Sequence, residues 1–294
     1  MPDDLRFEDM SILKNDNVRI RDLESVINKI KTIRDDGPTK LQMVTDFDRT
    51  ITKQHVNGQH ILSSFGIFFE SSQISEKMKE EKQRLFDKYR PIELDHDLEL
   101  EKKIEAMESW MTESDDLLRG VNYDPCEIEE VVKIHGTDVR DRTKELIDRL
   151  NAAKVPVLVF SAGLGDVVEA ILKLHDVFLN NVKVVSNFLN YKDGKINGFK
   201  NDQLIHVFNK NENVITDKEY YNSLKGRKNV VLMGDMTGDA TMADGAEGVE
   251  TILKIGFLYE QVESSLPSFL DTFDIVLIDD QSMDIVIDIL RPII

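Results

Sequence analysis

The sequence predicts an α/β protein built on a doubly wound parallel sheet, with an inserted, mostly helical cap. Three observations predict it. Beyond Gly136, short apolar runs alternate with amphipathic stretches, the pattern of strands joined by helical crossovers. Upstream, the strand-like run Leu41–Thr45 leads directly into Asp46. Between the two, from about Thr52 to Gly136, β-like apolar runs vanish and the chain becomes charged and helical in period. Residues 1–52 and 137–294 are accordingly expected to form the core, and 53–136 the cap.

Each element follows from local pattern. Leu23, Val26, Ile27, Ile30 and Ile33 recur at helical spacing, and Asp35-Asp36-Gly37-Pro38 supplies a stop. In the insert, Lys77–Tyr89 reads as one helix and Asp95–Arg119 as another. On the second, Leu100, Ile104, Met107, Met111 and Leu118 form a stripe whose one polar member is Ser114. Further on, Asp138–Ala153 reads as a helix, Val155–Phe160 as a buried strand, Gly165–His175 as a helix and Val182–Val185 as a strand. Asp193-Gly194 between Asn187–Tyr191 and Lys195–Phe199 suggests a hairpin. Leu204–Asn209, Val230–Met233 and Ile275–Leu277 complete the strand-like runs.

Composition narrows the partners. A formal charge of −18 opposes binding to a nucleic-acid backbone or an anionic membrane. A small anionic substrate needs only local positive charge. The single cysteine, Cys126, excludes an intrachain disulfide. Met1–Leu5 is acidic and lacks the basic and apolar regions of a signal peptide. No apolar run approaches the roughly 18 residues that span a bilayer. A cytoplasmic monomer is the expectation.

In open parallel sheets, ligands bind beyond the carboxyl ends of the strands. Four segments deliver polar residues there. Asp46-Phe47-Asp48-Arg49-Thr50 follows Leu41–Thr45 and puts two carboxylates at i and i+2. One such group can attack phosphorus while the other holds a proton for the leaving oxygen. The plainer reading is an Asp-rich turn that solvates a strand end. Ser161-Ala162-Gly163 follows Val155–Phe160, and a hydroxyl beside small residues lets backbone N–H groups approach a phosphoryl oxygen. Taken alone, it is equally a strand-to-helix turn. Lys210 follows Leu204–Asn209 and offers a cation, although most lysines are solvated surface charges; His206, inside that run, reads as a packed core histidine. Gly234-Asp235-Met236-Thr237-Gly238-Asp239 follows Val230–Met233, a glycine-bracketed carboxylate pair suited to an oxygen-only Mg²⁺ site. Each signal has a bland alternative. Their joint occurrence in this order points to phosphoryl transfer.

The same combination resembles the signature of the haloacid dehalogenase superfamily. It is more similar still to the cytosolic 5′-nucleotidase III family, the pyrimidine or 7-methylguanosine 5′-nucleotidases. The strings that carry the likeness are Thr45–Asp48, Phe160–Val167, Val184–Asn187, Leu204–Lys210, Met242–Gly245 and Leu253–Gly256. The resemblance implies Asp46 as nucleophile and Asp48 as the acid and base. It implies Mg²⁺ held by the Asp46 carboxylate, the Asp48 backbone carbonyl and Asp235, with Asp239 orienting the metal's waters and Lys210. Ser161, Ala162 and Lys210 would hold the phosphate, and Glu93 and Ser114 from the cap would hydrogen-bond the base. The implied substrate is a nucleoside 5′-monophosphate, with phosphoryl transfer to a nucleoside as a further family activity. Two departures bear on base choice: Met111 stands where many relatives carry Tyr or Trp, and Asp115 where His is frequent. Two other readings stay open: a capped phosphatase acting on a small phosphometabolite, and a catalytically silent nucleotide-binding protein.

Overall fold

A computed structural model describes residues 11–294 except His96, Thr137, Asp202, 212–221, Ser223 and Gly245. The Met1–Leu5 segment and the Gly245 end of one family string lie outside the described residues. The strands run, in chain order, β1 Val18–Arg19, β2 Leu41–Thr45, β3 His55–Val56, β4 Gln59–His60, β5 Val157–Leu164, β6 Val182–Asn187, β7 Leu189–Lys192, β8 Lys195–Phe199, β9 Asn229–Gly234, β10 Thr251–Leu258 and β11 Ile275–Ile278. The helices are α1 Leu23–Asp36, α2 Ser64–Phe69, α3 Glu76–Leu94, α4 Leu100–Leu118, α5 Glu127–His135, α6 Thr143–Ala152, α7 Gly165–Leu174, α8 Val262–Thr272 and α9 Asp284–Leu290.

Seven strands form one sheet in the order β1-β11-β10-β9-β2-β5-β6. All neighbours are parallel except β1, which runs antiparallel on the edge beside β11. The chain winds from central β2 outward through β5 and β6, then returns on the other side through β9, β10 and β11, as a doubly wound sheet does. Every residue of β2 and β9 is buried, as expected of central parallel strands covered on both faces. Alternation splits them between two cores. Leu41, Met43, Val231 and Met233 enter one apolar cluster, and Val44, Val230 and Leu232 the other.

The insert divides by packing. The outer helices α2 and α5 pack on α7, and Ile67, Phe68, Val131 and Val132 belong to the main core. The longer α3 and α4 pack on each other around a separate small cluster of Leu85, Tyr89 and Met107. Tyr89 Oη and Lys88 Nζ donate to Glu113 across this pair, at 2.6 and 2.7 Å. Asp115 is buried and ties α4 to the β7–β8 hairpin by accepting from the Phe199 N–H at 2.7 Å. The hairpin turn is Asp193-Gly194, both at positive φ.

Four expectations need correction. The 138–153 helix begins only at Thr143, because Val139 bridges to Thr52 and the Arg140 guanidinium is buried against backbone carbonyls. Leu204–Asn209 is not a strand. The Asn187 and Asn209 side chains hydrogen-bond the backbone of Ile205, His206 and Leu204, and the segment turns instead. Strand β10 was not anticipated, since Lys254 interrupts its apolar run; the Lys254 N–H bonds Asp274. The insert also holds a two-stranded β3–β4 ribbon where no strand was expected.

Candidate active site

The register of the central strands assembles the site. Thr45 pairs with Met233 on one side and Val159 on the other, so Asp46 emerges level with Gly234-Asp235 and Phe160-Ser161. Lys210 arrives from the Leu204–Asn209 turn. Asp46, Asp48, Ser161, Ala162, Lys210, Asp235 and Asp239 all line a single cavity of about 250 Å³, and Glu93 and Ser114 line its cap side. The nine candidate site residues therefore line one space, and Met111 with them, whereas Asp115 does not and is bonded instead to Phe199 and Arg119.

The floor is tightly bonded. Lys210 Nζ donates to Asp46 Oδ1 at 2.5 Å and to Asp239 Oδ1 at 2.8 Å, and all three residues are buried. Asp239 Oδ2 accepts from the N–H groups of Asp235 and Met236 at 3.1 and 3.0 Å, closing the Gly-Asp turn on itself. Gly234 is required there, because a Cβ would stand 2.3 Å from that of Asp239. Ser161 Oγ accepts from the Gly163 N–H at 3.0 Å. Gly163 is required too: a Cβ would sit 2.0 Å from Ser64 Oγ and 2.7 Å from Asp48 Oδ2.

Ser64 is a residue the sequence reading missed. Its N–H and Oγ donate to the two oxygens of Asp48 at 2.7 and 2.6 Å, and its Oγ accepts from the Leu164 N–H at 3.1 Å. The available signal was the Ser63-Ser64 pair opening a helix, with Ser63 as the N-cap. Arg140 was missed as well. Its guanidinium donates to the carbonyls of Thr50, Arg49 and Asp280 and lies over the Phe257 ring at 3.9 Å, pinning the loop behind Asp48. Arg49 in that loop adopts a left-handed backbone, φ 67°.

Charge is unbalanced here. Burial raises the Asp46 carboxyl to about 7; the Lys210 charge opposes the shift and the Asp239 charge adds to it. Burial, reinforced by Asp46 and Asp239, raises Asp235 well above the carboxylate range. Burial also raises Asp48, against the stabilising bonds from Ser64. For Lys210, burial works against the charge, but Asp239 and Asp46 outweigh it and hold the ammonium above its ordinary value. One ammonium is thus embedded in a crowd of carboxylates. Oxygens of Asp46, Asp235 and Asp239 come within 4.8 Å of one another, and Asp46 Oδ2 is buried with no hydrogen-bond partner. These features fit a hard divalent cation held by oxygen ligands. The Asp48 side chain is turned to Ser64 instead and lies outside this carboxylate group.

The cap wall is mostly apolar. Met107, Trp110, Met111, Leu85 and Phe86 line it, with Trp110 stacked on Tyr89 at 5.7 Å between ring centres. Met111 is buried and continues its helical stripe. Ser114 Oγ donates to the Trp110 carbonyl at 2.8 Å. Glu93 is paired with Arg90, which also lines the cavity. Arg90 was the second cap residue to escape notice, although its i, i+3 spacing from Glu93 was visible.

This architecture, with Asp46 at the end of a central strand and Lys210 delivered by a neighbouring turn, is the α/β fold of haloacid dehalogenase-type proteins. A substrate-bound phosphoserine phosphatase shares the architecture, with TM-score 0.52 at 20% identity over 87% of this chain and 98% of that one. The chain belongs to the pyrimidine 5′-nucleotidase (UMPH-1) family, whose model matches residues 49–294. A 7-methylguanosine phosphate-specific 5′-nucleotidase of Drosophila melanogaster is 43% identical over 283 residues, covering 96% of this chain and 88% of the relative. The Homo sapiens protein of the same name is 36% identical over 288 residues, 98% of this chain and 96% of the relative. The crystal structure of cytosolic 5′-nucleotidase IIIB bound to cytidine superposes with TM-score 0.93 at 42% identity, covering 99% of this chain and 98% of that one. The family expected from the sequence strings is thereby established. Among the described residues no helix is long and apolar enough to cross a membrane.

Proposed function

We propose that this chain is a Mg²⁺-dependent 5′-nucleotidase that cleaves nucleoside 5′-monophosphates of the pyrimidine and 7-methylguanosine series through an aspartyl-phosphate on Asp46. The single observation that carries this reading is the Asp46 carboxylate, buried between Lys210 and the Asp235–Asp239 turn with one oxygen unpartnered. Asp46, Asp235 and the backbone carbonyl of Asp48 would hold the cation, which when bound supplies charge that balances the carboxylates and polarises the phosphoryl oxygens.

The chain's own groups account for the rest. Lys210 and the Ser161-Ala162 segment orient the phosphate in line with Asp46. The Asp46 carboxylate attacks phosphorus as the P–O5′ bond breaks, and Asp48 gives its proton to O5′. Burial favours the protonated form that this step needs. Asp48, now ionised and held by Ser64, takes a proton from water as that water attacks the phosphorus. The P–O bond to Asp46 breaks, phosphate leaves and the carboxylate is restored. A nucleoside hydroxyl in place of water gives phosphoryl transfer.

Within the insert 53–136 we read α3 and α4 as the substrate-recognising cap, with α2 and α5 joining it to the core. There Glu93 and Ser114 would hydrogen-bond the base while Met111 and Trp110 border it. We read the molecule as a cytoplasmic monomer whose −18 charge disfavours nucleic-acid polymers and anionic membranes. The test is phosphate release from cytidine and 7-methylguanosine monophosphates, with and without Mg²⁺, in wild type and Asp46→Asn. Activity that survives Asp46→Asn or ignores Mg²⁺ would overturn the reading.

A further inference from the structure

Arg90 and Glu93 sit one turn apart at the end of α3, where a surface pair would add little. This pair is different. The two side chains are only 18% and 12% exposed, and both line the cavity that holds Asp46. Arg90 Nη1 donates to Glu93 Oε2, while no described residue bonds Glu93 Oε1. The other terminal nitrogen of the guanidinium faces the core: Arg90 Nη2 lies 3.8 Å from Glu260 Oε2, just beyond the end of β10. Glu260 Oε1 in turn lies 3.4 Å from Arg49 Nη1, on the residue after Asp48. Charges thus alternate from cap to floor as Glu93, Arg90, Glu260 and Arg49.

A planar guanidinium can serve two carboxylates in fixed directions at once, which an ammonium on a flexible stem cannot. Among the described residues, Arg90 is the ion-pair partner of Glu93. We propose that Arg90 is a specificity-determining positioning residue: it fixes the Glu93 carboxylate toward the base and, through Glu260, latches α3 to the core over bound nucleotide. This rests on the base-reading role given to Glu93 above. Because Arg90 acts mainly through Glu93, its removal costs less once Glu93 is gone, and what remains is the latch to Glu260.

The experiment is a double-mutant cycle read with two substrates, cytidine 5′-monophosphate and 4-nitrophenyl phosphate, which has no base. In Arg90→Ala, kcat/KM for the nucleotide is expected to fall about tenfold, mainly through KM, and for the aryl phosphate by less than about threefold. In the Glu93→Ala background Arg90→Ala should cost no more than about threefold, the share of the Glu260 latch, against about tenfold in wild type. Arg90→Lys should regain only part of the loss, and Glu260→Gln should raise the nucleotide KM about threefold by loosening the latch. These last two variants decide the matter should Arg90→Ala fold poorly. Losses that multiply in the double variant, or equal losses on both substrates in Arg90→Ala, overturn the proposal. A base-selective Glu93→Ala beside a neutral Arg90→Ala sinks Arg90 alone. Equal losses on both substrates in Glu93→Ala sink the base-reading role itself.

Discussion

The floor and the wall of the cavity are built on opposite principles. At the floor the polar groups are mostly buried and bonded to neighbours that are themselves fixed: Lys210 to Asp46 and Asp239, Asp239 to two backbone N–H groups, and half-buried Asp48 to Ser64. The wall, on α3 and α4, is lined by methionines and aromatic rings, with Lys82, the Arg90–Glu93 pair and Ser114 among its polar features. A preorganised polar floor suits a reaction whose charge develops in one place. A soft, apolar wall suits choosing among flat bases of different size, since methionine adapts its shape. Under the proposed function, chemistry and selectivity rest on different kinds of interaction and should fail differently when disturbed.

The largest effect should come from the floor. Asp46→Asn is expected to reduce phosphate release by about 10⁴-fold or more, since the attacking group itself is lost. Asp48→Asn should slow kcat by about 10² to 10⁴-fold while nucleotide binding, followed by calorimetry, persists. A kcat near wild type in that variant would dissolve the contrast between floor and wall. Lys210→Met leaves buried carboxylates without their ammonium, so the metal-free protein should lose about 3–5 kcal/mol of stability by denaturant unfolding.

Acidity sharpens the same contrast. Asp46 and Asp235 are raised by burial above the ordinary 3.8, Asp46 to about 7. Between those values these two carboxyls hold more protons in the folded than in the unfolded chain, so their contribution to metal-free stability falls as pH rises through this window, against the opposite contribution of buried His206, lowered to about 4. The Lys210 contribution, from a raised pKa, is present below 10.5 and lost only above it, leaving the carboxylates to set the trend near neutrality. Added Mg²⁺ should thus raise the melting temperature more at pH 7.5 than at pH 5.5, and an equal gain at both would argue against a carboxylate cation site. The smallest effect belongs to the wall. Met111→Leu should cost less than about 1.5 kcal/mol in folding and shift relative rates among nucleotides without abolishing turnover on any.

Legibility followed locality. The strands Leu41–Thr45, Val155–Phe160 and Val230–Met233 were plain as apolar runs, and the polar residues that end them were plain as candidates. Strand β10 was hidden because Lys254 broke its run, and the Leu204–Asn209 turn passed for a strand because two asparagine side chains replace its ladder. Ser64 and Arg140 gave almost no signal. Each acts on a residue 16 or about 90 positions away, a distance that periodicity does not reach.

By itself, the sequence determined the kinds of groups available: a carboxylate pair after one strand, a second pair after another, one lysine, and small residues wherever backbone must come close. The tertiary structure decided which of them meet. Parallel pairing of β2 with β5 and β9 sets Asp46 level with Ser161 and Asp235, and folding of the insert brings Arg90 into the same cavity and Ser64 onto Asp48. The reason is physical: side-chain chemistry is local to a residue, whereas burial, pairing and the acidity they impose depend on neighbours that only the closed chain supplies.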